Sequence, residues 1–466
     1  MIIRNEDTIC AVATAPGGAL GIVRVSGSDA IALIDKVFVP FSNPNVPLSN
    51  RKPYSLVYGK ILDEKKEILD EVMAGVYRAP HSYTGEDSVE ITCHGSFYIL
   101  QQINQLLIRQ GCRAAEPGEF TQRAFLNGKM DLCRAEAVAD LIAASSYAAH
   151  RTAMNQMRGG FSRTLSQLRD KLLKLTVLIE LELDFSDHED VEFADRTELR
   201  QTAEEIEGII SRLTQSFSVG NVLKNGVPTV IVGETNSGKS TLLNALLHED
   251  RAIVSSISGT TRDVIEDTIV LNGITFRFID TAGIRDTADE IESMGIERSI
   301  RKMEQAHIVL WVVDVTDAQT QINRLADCIF SKCKDKKLFI LLNKIDITDR
   351  KTPTLVHIPQ SINIVPISAK MNIGIDRLQH LLVRAAALPE INSTDVIVTN
   401  MRHYEALTLA LADIRRVLNG LNTGLSGDFI SQDLRSCLFH LAEIAGGQIT
   451  TDEVLGSIFK HFCIGK

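Results

Sequence analysis

Gly233-Glu-Thr-Asn-Ser-Gly-Lys-Ser240 is the stretch that decides how the centre of this chain folds. It fits the pattern G-x-x-x-x-G-K-[ST] and follows Val227-Pro-Thr-Val-Ile-Val-Gly233, an apolar run that reads as a strand. Glycines at both ends of the loop let backbone N–H groups turn inward around phosphates. The helix expected after the loop aims its positive end at the same place. In that setting Lys239 reaches the β and γ phosphates of a nucleotide and the Ser240 hydroxyl meets magnesium. Gly233, Asn236, Ser237, Gly238 and Thr241 complete the expected phosphate contacts.

Further elements follow in order. Ile279-Asp-Thr-Ala-Gly283 ends another apolar run, so Asp280 can hold magnesium through water while the Gly283 N–H meets the γ phosphate. Asn343-Lys-Ile-Asp346 follows the strand-like Leu338 to Leu342 and fits the guanine-reading N-K-x-D pattern. A carboxylate at Asp346 accepts from both the ring N–H and the exocyclic amine of guanine, which adenine does not present together. Hydrogen-bond readout of this kind rejects the wrong partner by factors of about 10⁴. Ser368-Ala-Lys370 fits the loop that backs the base, and with Asn343 and Lys344 completes a guanine-nucleotide site.

Catalysis is less conventional. Ras-like proteins carry glutamine directly after D-x-x-G to orient the attacking water, whereas Ile284 stands here. An aliphatic side chain cannot do that work. Hydrolysis therefore needs a replacement for the glutamine and a source of positive charge, a role worth about 10³–10⁵ in rate when an arginine supplies it. Glu292 is the candidate for handling the water, and Arg262 and Arg285 for organising charge; the alternative for each is a solvated loop residue. Asn236 has two readings as well: its amide oxygen helps hold a monovalent cation beside the phosphates, or it stabilises the loop.

Outward from this centre the texture changes on both sides. Alternating strand and helix patterns run from 226 to 386 and predict a mostly parallel sheet with crossover helices. From Gly118 to Phe217 there is no proline, and Leu165, Leu168, Leu172, Leu175, Ile179 and Leu183 form one apolar stripe at steps of three and four. That is the core face of a helical bundle. The acidic stretch Asp184 to Asp195 reads as a solvated helix junction. Helical patterns resume at Asp395, after a linker from Leu388 to Thr394. Residues 1–118 mix short strands, such as Gly21-Ile-Val-Arg-Val25, Tyr54-Ser-Leu-Val-Tyr58 and Ser88-Val-Glu-Ile-Thr92, with helices at Ser28 to Val37 and Phe97 to Gln110. The expected organisation is an α+β domain over 1–118, a helical domain over 119–225 and 387–466, and an α/β P-loop domain over 226–386 inserted into it.

Composition sets the outer limits. The 466 residues carry a formal charge of −10, with 44% hydrophobic and 23% charged residues. Such a chain is globular and multidomain, and it is no general coat for nucleic acid, whose binding is driven by Lys and Arg. The start shows no apolar leader and no run reaches the roughly 18–20 apolar residues of a membrane span, so a cytoplasmic location without membrane contact is expected. None of the eight cysteines stands in a C-x-x-C pair, which speaks against zinc and against a disulfide framework.

Taken with Asp7-Thr-Ile-Cys-Ala-Val-Ala-Thr14, Gly21-Ile-Val-Arg-Val-Ser-Gly27 and Ser82-Tyr-Thr-Gly-Glu-Asp87, these motifs resemble the MnmE (TrmE) family of tRNA-modification GTPases. The resemblance is carried further by Pro117-Gly-Glu-Phe-Thr-Gln-Arg-Ala-Phe-Leu-Asn-Gly-Lys-Met-Asp131, Ala135-Glu-Ala-Val-Ala-Asp140, Gly259-Thr-Thr-Arg-Asp263, Asp280-Thr-Ala-Gly-Ile-Arg285 and the ending Phe462-Cys-Ile-Gly-Lys466. It covers essentially the whole chain. It implies an N-terminal domain that binds a tetrahydrofolate derivative and dimerises, a helical domain and an inserted Ras-like GTPase domain. It also implies a flavoprotein partner of the MnmG type, with which such proteins install an aminomethyl or carboxymethylaminomethyl group at C5 of the tRNA wobble uridine. FAD belongs to that partner, and no G-x-G-x-x-G fingerprint occurs here.

Residue roles follow from the same resemblance. Asn236 matches a potassium-binding asparagine, with backbone groups of Ser255, Ile257 and Thr260 completing the shell. Thr261 matches the threonine that joins Ser240 on magnesium, and Glu292 matches the glutamate assigned to water activation. Arg24, Glu90, Lys129 and Lys466 match the folate positions, where charge-assisted contacts suit a glutamate tail and a pterin; ordinary surface ion pairs are the alternative. Cys463 matches the near-terminal cysteine of the family. This chain departs at Thr235, where many relatives have proline, at Ser255, where threonine is common, and at Ala15-Pro-Gly-Gly18, a shorter glycine-rich loop. The competing readings are a ribosome-assembly GTPase of the Era type and a regulatory switch that only gates a partner. Residues 1–118 and 395–466 show no basic, aromatic RNA-reading surface of the kind the first needs.

Overall fold

The computed structural model describes residues 7–184, 196–249, 267–279, 303–348, 362–386 and 396–447. It also describes 353, 355–356, 358–359, 455, 458–459, 462 and 464–465, with side chains at 182–184, 196 and 248–249 excepted. The chain forms two compact units. One comprises 1–139, 156–207 and 406–466, the other 140–155 and 208–405.

The N-terminal part of the first unit is α+β. Its strands are β1 (Ile9–Val12), β2 (Leu20–Ser26), β3 (Phe38–Pro40), β4 (Ser55–Leu62), β5 (Ile68–Tyr77), β6 (Ser88–His94) and β7 (Arg113–Ala114). They make a seven-stranded sheet in the order β3-β4-β5-β6-β2-β1-β7. Alternation explains its two faces. Val23 and Val25 of β2 and Val89, Ile91 and Cys93 of β6 turn inward and are buried in one core, together with residues of α1 (Ala30–Asp35) and α2 (Phe97–Gln110). Arg24 and Glu90 fall on the opposite face and lie directly across from each other in the β2–β6 register. α2 buries Leu100, Ile103, Leu106 and Leu107, and stops at Gly111, which takes φ +119 as a left-handed cap.

Helices α3 (Glu119–Leu126), α4 (Leu132–Ala143), α5 (Tyr147–Met157), α6 (Gly160–Asp184) and α7 (Arg196–Asn225) follow. The stripe expected on α6 is buried at Leu165, Leu168, Leu172, Leu175 and Ile179. On α3 a charged cluster accompanies the buried Phe120 and Ala124. Arg123 is 2% exposed and donates to the Asp7 carbonyl at 2.8 Å, to Glu119 at 3.1 Å and to Glu86 at 3.2 Å. Arg113 adds a 2.6 Å bond to Asp7 and a second contact to Glu119.

The inserted part of the second unit is α/β. Its strands are β8 (Val227–Val232), β9 (Asp267–Leu271), β10 (Ile274–Phe278), β11 (Ile308–Asp314), β12 (Lys337–Asn343) and β13 (Asn363–Pro366), in the order β13-β12-β11-β8-β10-β9. All pairs are parallel except the β9–β10 hairpin. β11 shows why these runs are apolar throughout. Ile308, Leu310 and Val312 enter the core on one face, while Val309, Trp311 and Val313 enter the core on the other. Each buried side chain of this size contributes about 1.5–3 kcal/mol of transfer free energy. Helices α8 (Lys239–Glu249), α9 (Ala318–Lys332) and α10 (Ile375–Ala385) accompany the sheet. α11 (Met401–Thr423) and α12 (Gly427–Ala445) return the chain to the helical region, where α12 packs on α6 and Arg435 reaches Glu180 at 2.7 Å.

Helix was expected from Asp395, yet α11 begins at Met401, and residues 396–400 carry no regular secondary structure. This segment runs tightly against α7. The Val398 N–H donates to Ser216 Oγ at 3.1 Å, and a Cβ on Gly220 would lie 1.9 Å from the Val398 carbonyl. The expected acidic junction beyond Asp184, where α6 ends, and the linker at 388–394 lie outside the described residues. No helix among the described residues is long and apolar enough to cross a membrane.

The charged cluster on α3 makes the first unit sensitive to acid. Burial works against the carboxylates of Asp7 and Glu119, but hydrogen bonds from Arg113 and the charge of Arg123 outweigh it and hold both below their ordinary values. Groups with depressed folded-state values stabilise the fold above the unfolded value, near pH 4, and that stability is lost as pH falls toward the folded value. Denaturation at pH 7, 5 and 3.5 is expected to show this loss. Arg123→Met should cost about 3–5 kcal/mol at pH 7 by removing the buried partner that Asp7, Glu86 and Glu119 share, and should flatten the acid dependence.

Candidate guanine-nucleotide site

The site stands at the C-terminal ends of β8, β12 and β13, beside the position where the strand order reverses around β8. The loop after β8 carries Gly233 at φ +151, Asn236 at φ +59 and Gly238 at φ +99, left-handed positions that wrap its backbone into a cup. A Cβ at Gly233 would meet the Val312 carbonyl at 2.3 Å, so the loop can pass β11 only as glycine. α8 begins at Lys239, directly behind the cup. Ser240 and Thr241 stand in its first turn.

Lys239 Nζ folds back on its own loop, donating to the Gly233 carbonyl at 3.0 Å and the Glu234 carbonyl at 2.7 Å. Burial lowers its pKa, against the opposing effect of the Glu234 carboxylate. These carbonyls hold an ammonium that phosphate oxygens would hold more strongly, because charge-assisted bonds to an anion exceed those to neutral acceptors.

Asn343 closes β12 and is 3% exposed. Its Nδ2 donates to the Ser237 carbonyl at 2.8 Å, and its Oδ1 accepts from the Ala369 N–H at 3.0 Å. One carboxamide thus ties the phosphate loop to the loop after β13. That second loop is closed by paired backbone bonds between Ser368 and Ile373 and by Gly374 at φ +78. Ser368 Oγ donates to Asp346 Oδ1 at 2.6 Å and leaves Oδ2 for a further donor. Lys344, at φ +67, is anchored on Asp314 at 2.6 Å. Burial opposes the Asp314 charge, but Lys344 and Thr316 overcome it and keep its pKa below the usual range. Lys370 is exposed at the rim. The arrangement suits a flat ring with adjacent N–H donors at Asp346 and a polyphosphate in the cup.

Several expected site residues lie outside the described residues: Asp280, Gly283, Arg262, Arg285, Glu292, Thr261, Ser255, Ile257, Thr260, Cys463 and Lys466. Of the expected potassium shell only Asn236 is described; it is exposed, at φ +59 in the loop after β8. Sequence reasoning overlooked Glu234 and its 3.0 Å ion pair with Arg324 of α9, since no spacing rule links those positions.

The folate candidates belong to the other unit. Arg24 donates to Glu90 Oε1 at 2.9 Å from Nε and to the Gly465 carbonyl at 3.1 Å from Nη1. Its guanidinium lies 5.5 Å from the Tyr83 ring centre and 5.6 Å from that of Phe120. Gly465 takes φ +90, and a Cβ there would meet the Val12 carbonyl at 2.6 Å, so Gly465 is seated against the end of β1. Acid, guanidinium and two aromatic rings together fit a flat heterocycle with polar edges. Lys129 turns instead to the Pro80 carbonyl at 2.7 Å.

A Cβ on Gly238 would lie 2.1 Å from Asn343 Nδ2. Gly238→Ala is therefore expected to push the phosphate loop off Asn343 and weaken GTP binding at least about tenfold, measured by titration with a fluorescent GTP analogue. Unchanged affinity would contradict the geometry.

Two family models match this chain. The family model described as "GTP-binding protein TrmE N-terminus" matches residues 8–129, and that described as "MnmE helical domain" matches 132–463. The chain is 60% identical to the tRNA modification GTPase MnmE of Bacteroides fragilis, covering 99% of this chain and 100% of that one. It is 59% identical to the protein of the same name from Bacteroides thetaiotaomicron and 49% identical to that of Flavobacterium johnsoniae, each over 99% of this chain and 100% of the relative. Among solved structures, the FeoB G-domain of Methanococcus jannaschii matches 34% of this chain and 97% of its own length at 23% identity, with a TM-score of 0.24. Likeness of this degree along the full chain means that it belongs to the MnmE (TrmE) family of tRNA modification GTPases and is a GTP hydrolase.

Proposed function

We propose that this protein couples potassium-stimulated GTP hydrolysis to the installation of an aminomethyl or carboxymethylaminomethyl group at C5 of the tRNA wobble uridine. The observation that carries this reading is the likeness along 99% of the chain to relatives named tRNA modification GTPase MnmE. The protein acts in the cytoplasm as a homodimer, with a flavoprotein of the MnmG type that holds the FAD. Residues 1–118 bind the tetrahydrofolate derivative and dimerise, 119–225 and 387–466 form the helical domain, and 226–386 bind and hydrolyse GTP.

Within the last segment the phosphate cup, Lys239 and the Asn343 tie support nucleotide binding, and Asp346 supports selection of guanine. Ser240 and Thr261 would hold magnesium. Asn236, with backbone groups of Ser255, Ile257 and Thr260, would hold potassium, which when bound supplies positive charge beside the phosphates. Ile284 leaves the water without a polar guide, so Glu292 takes its proton and orients it, with Arg262 and Arg285 organising the surrounding charge. In the N-terminal segment, Arg24, Glu90, Lys129 and Lys466 hold the folate, which supplies the one-carbon unit. The pair formed by Arg24 and Glu90 on one sheet face supports that assignment.

Phosphate release tests the hydrolytic part. In potassium the rate should exceed that in sodium, at equal ionic strength, by about tenfold or more, a fraction of the 10³–10⁵ that an arginine contributes in the same role elsewhere. Glu292→Ala should retain nucleotide affinity and lose about 10²–10⁴ in rate, the usual size of general-base catalysis. Equal rates in the two salts would remove potassium from the account, and loss of nucleotide binding in Glu292→Ala would remove the role given to Glu292.

A further inference from the structure

The phosphate loop begins with an acid. Glu234 follows Gly233 directly, and its carbonyl is one of the two that hold Lys239. A carboxylate at this place adds negative charge beside the position where a polyanionic ligand must settle, and like charges in a partly desolvated cleft repel. The fold answers with Arg324. From α9 its Nη1 donates to Glu234 Oε1 at 3.0 Å, with the carboxylate side chain 18% exposed and the guanidinium 61% exposed. The contact spans 90 residues of chain and draws the carboxylate toward α9.

We propose that Arg324 is a positioning residue for nucleotide binding: it turns the Glu234 carboxylate toward α9 and cancels its repulsion of the nucleotide phosphates. The role is electrostatic, since a guanidinium this exposed adds little packing. Without it the acid stays in the loop uncompensated, near the ammonium that phosphate has to capture. A loop of the same geometry with a neutral residue at 234 would not need Arg324. The proposal rests on reading Gly233 to Ser240 as the nucleotide-phosphate loop, which binding to the wild-type chain tests separately.

The test is titration of the methylanthraniloyl derivative of GDP into the full-length chain and variants, at low and high salt. Arg324→Ala should weaken binding about three- to fivefold at low salt, the scale of one partly exposed ion pair, and the deficit should shrink as salt rises. Arg324→Lys, which keeps the charge, should bind close to wild type. Adding Glu234→Gln to Arg324→Ala should restore affinity, an outcome that a merely structural arginine would not give. The proposal is overturned if Arg324→Ala binds as tightly as wild type, or if the double variant stays as weak as the single one. Thermal melting of each variant confirms that the fold is retained.

Discussion

Everything in the nucleotide region depends on one buried carboxamide. Asn343 spends its donor on the phosphate loop and its acceptor on the loop behind the base, and so sets the spacing between the two halves of the site. Either group left unmatched at 3% exposure would cost about 1–3 kcal/mol. The bonds exist only because Gly238 lacks a side chain where the carboxamide approaches. Three strand ends are locked together by one residue whose position is fixed by the parallel pairing of β12 with β11 and β13. A parallel sheet buried on both faces cannot slip register without exposing its apolar runs, so the site inherits the rigidity of the sheet.

The N-terminal sheet uses the same economy differently. Strand alternation sends Val23, Val25, Val89 and Ile91 into the core and leaves Arg24 and Glu90 side by side on the other face. Aromatic rings from Tyr83 and Phe120 flank the guanidinium, and the carbonyl of Gly465 completes its coordination. Buried charge on α3 then fixes the helix that carries Phe120. In both regions a polar group is placed by backbone register first and refined by a glycine that admits a close approach.

Much of this was legible in the sequence, for physical reasons. A loop that wraps phosphate has to be glycine-bounded and has to join a strand to a helix, so Gly233 to Ser240 announces itself. The stripe on α6 is read from spacing because a helix buries one side. What escaped is long-range. Neither the Arg324–Glu234 pair nor the Arg24–Gly465 contact leaves a trace in local pattern, since 90 and 441 residues separate the partners. Within β5, Asp70 interrupts the apolar alternation, and it is buried there because it accepts from the His94 backbone N–H and ring. The start of α11 was misplaced because packing against Gly220, rather than propensity, decides the path of 396–400.

The central claim is that this tied nucleotide site serves tRNA modification, and mass analysis of the wobble nucleoside tests it most directly. In cells lacking this protein the account predicts wobble uridine without its C5 aminomethyl or carboxymethylaminomethyl group. The wild-type chain should restore the group, and a chain carrying Asn343→Ala should not. An unaltered wobble nucleoside in the deficient cells, or full restoration by Asn343→Ala, would contradict it.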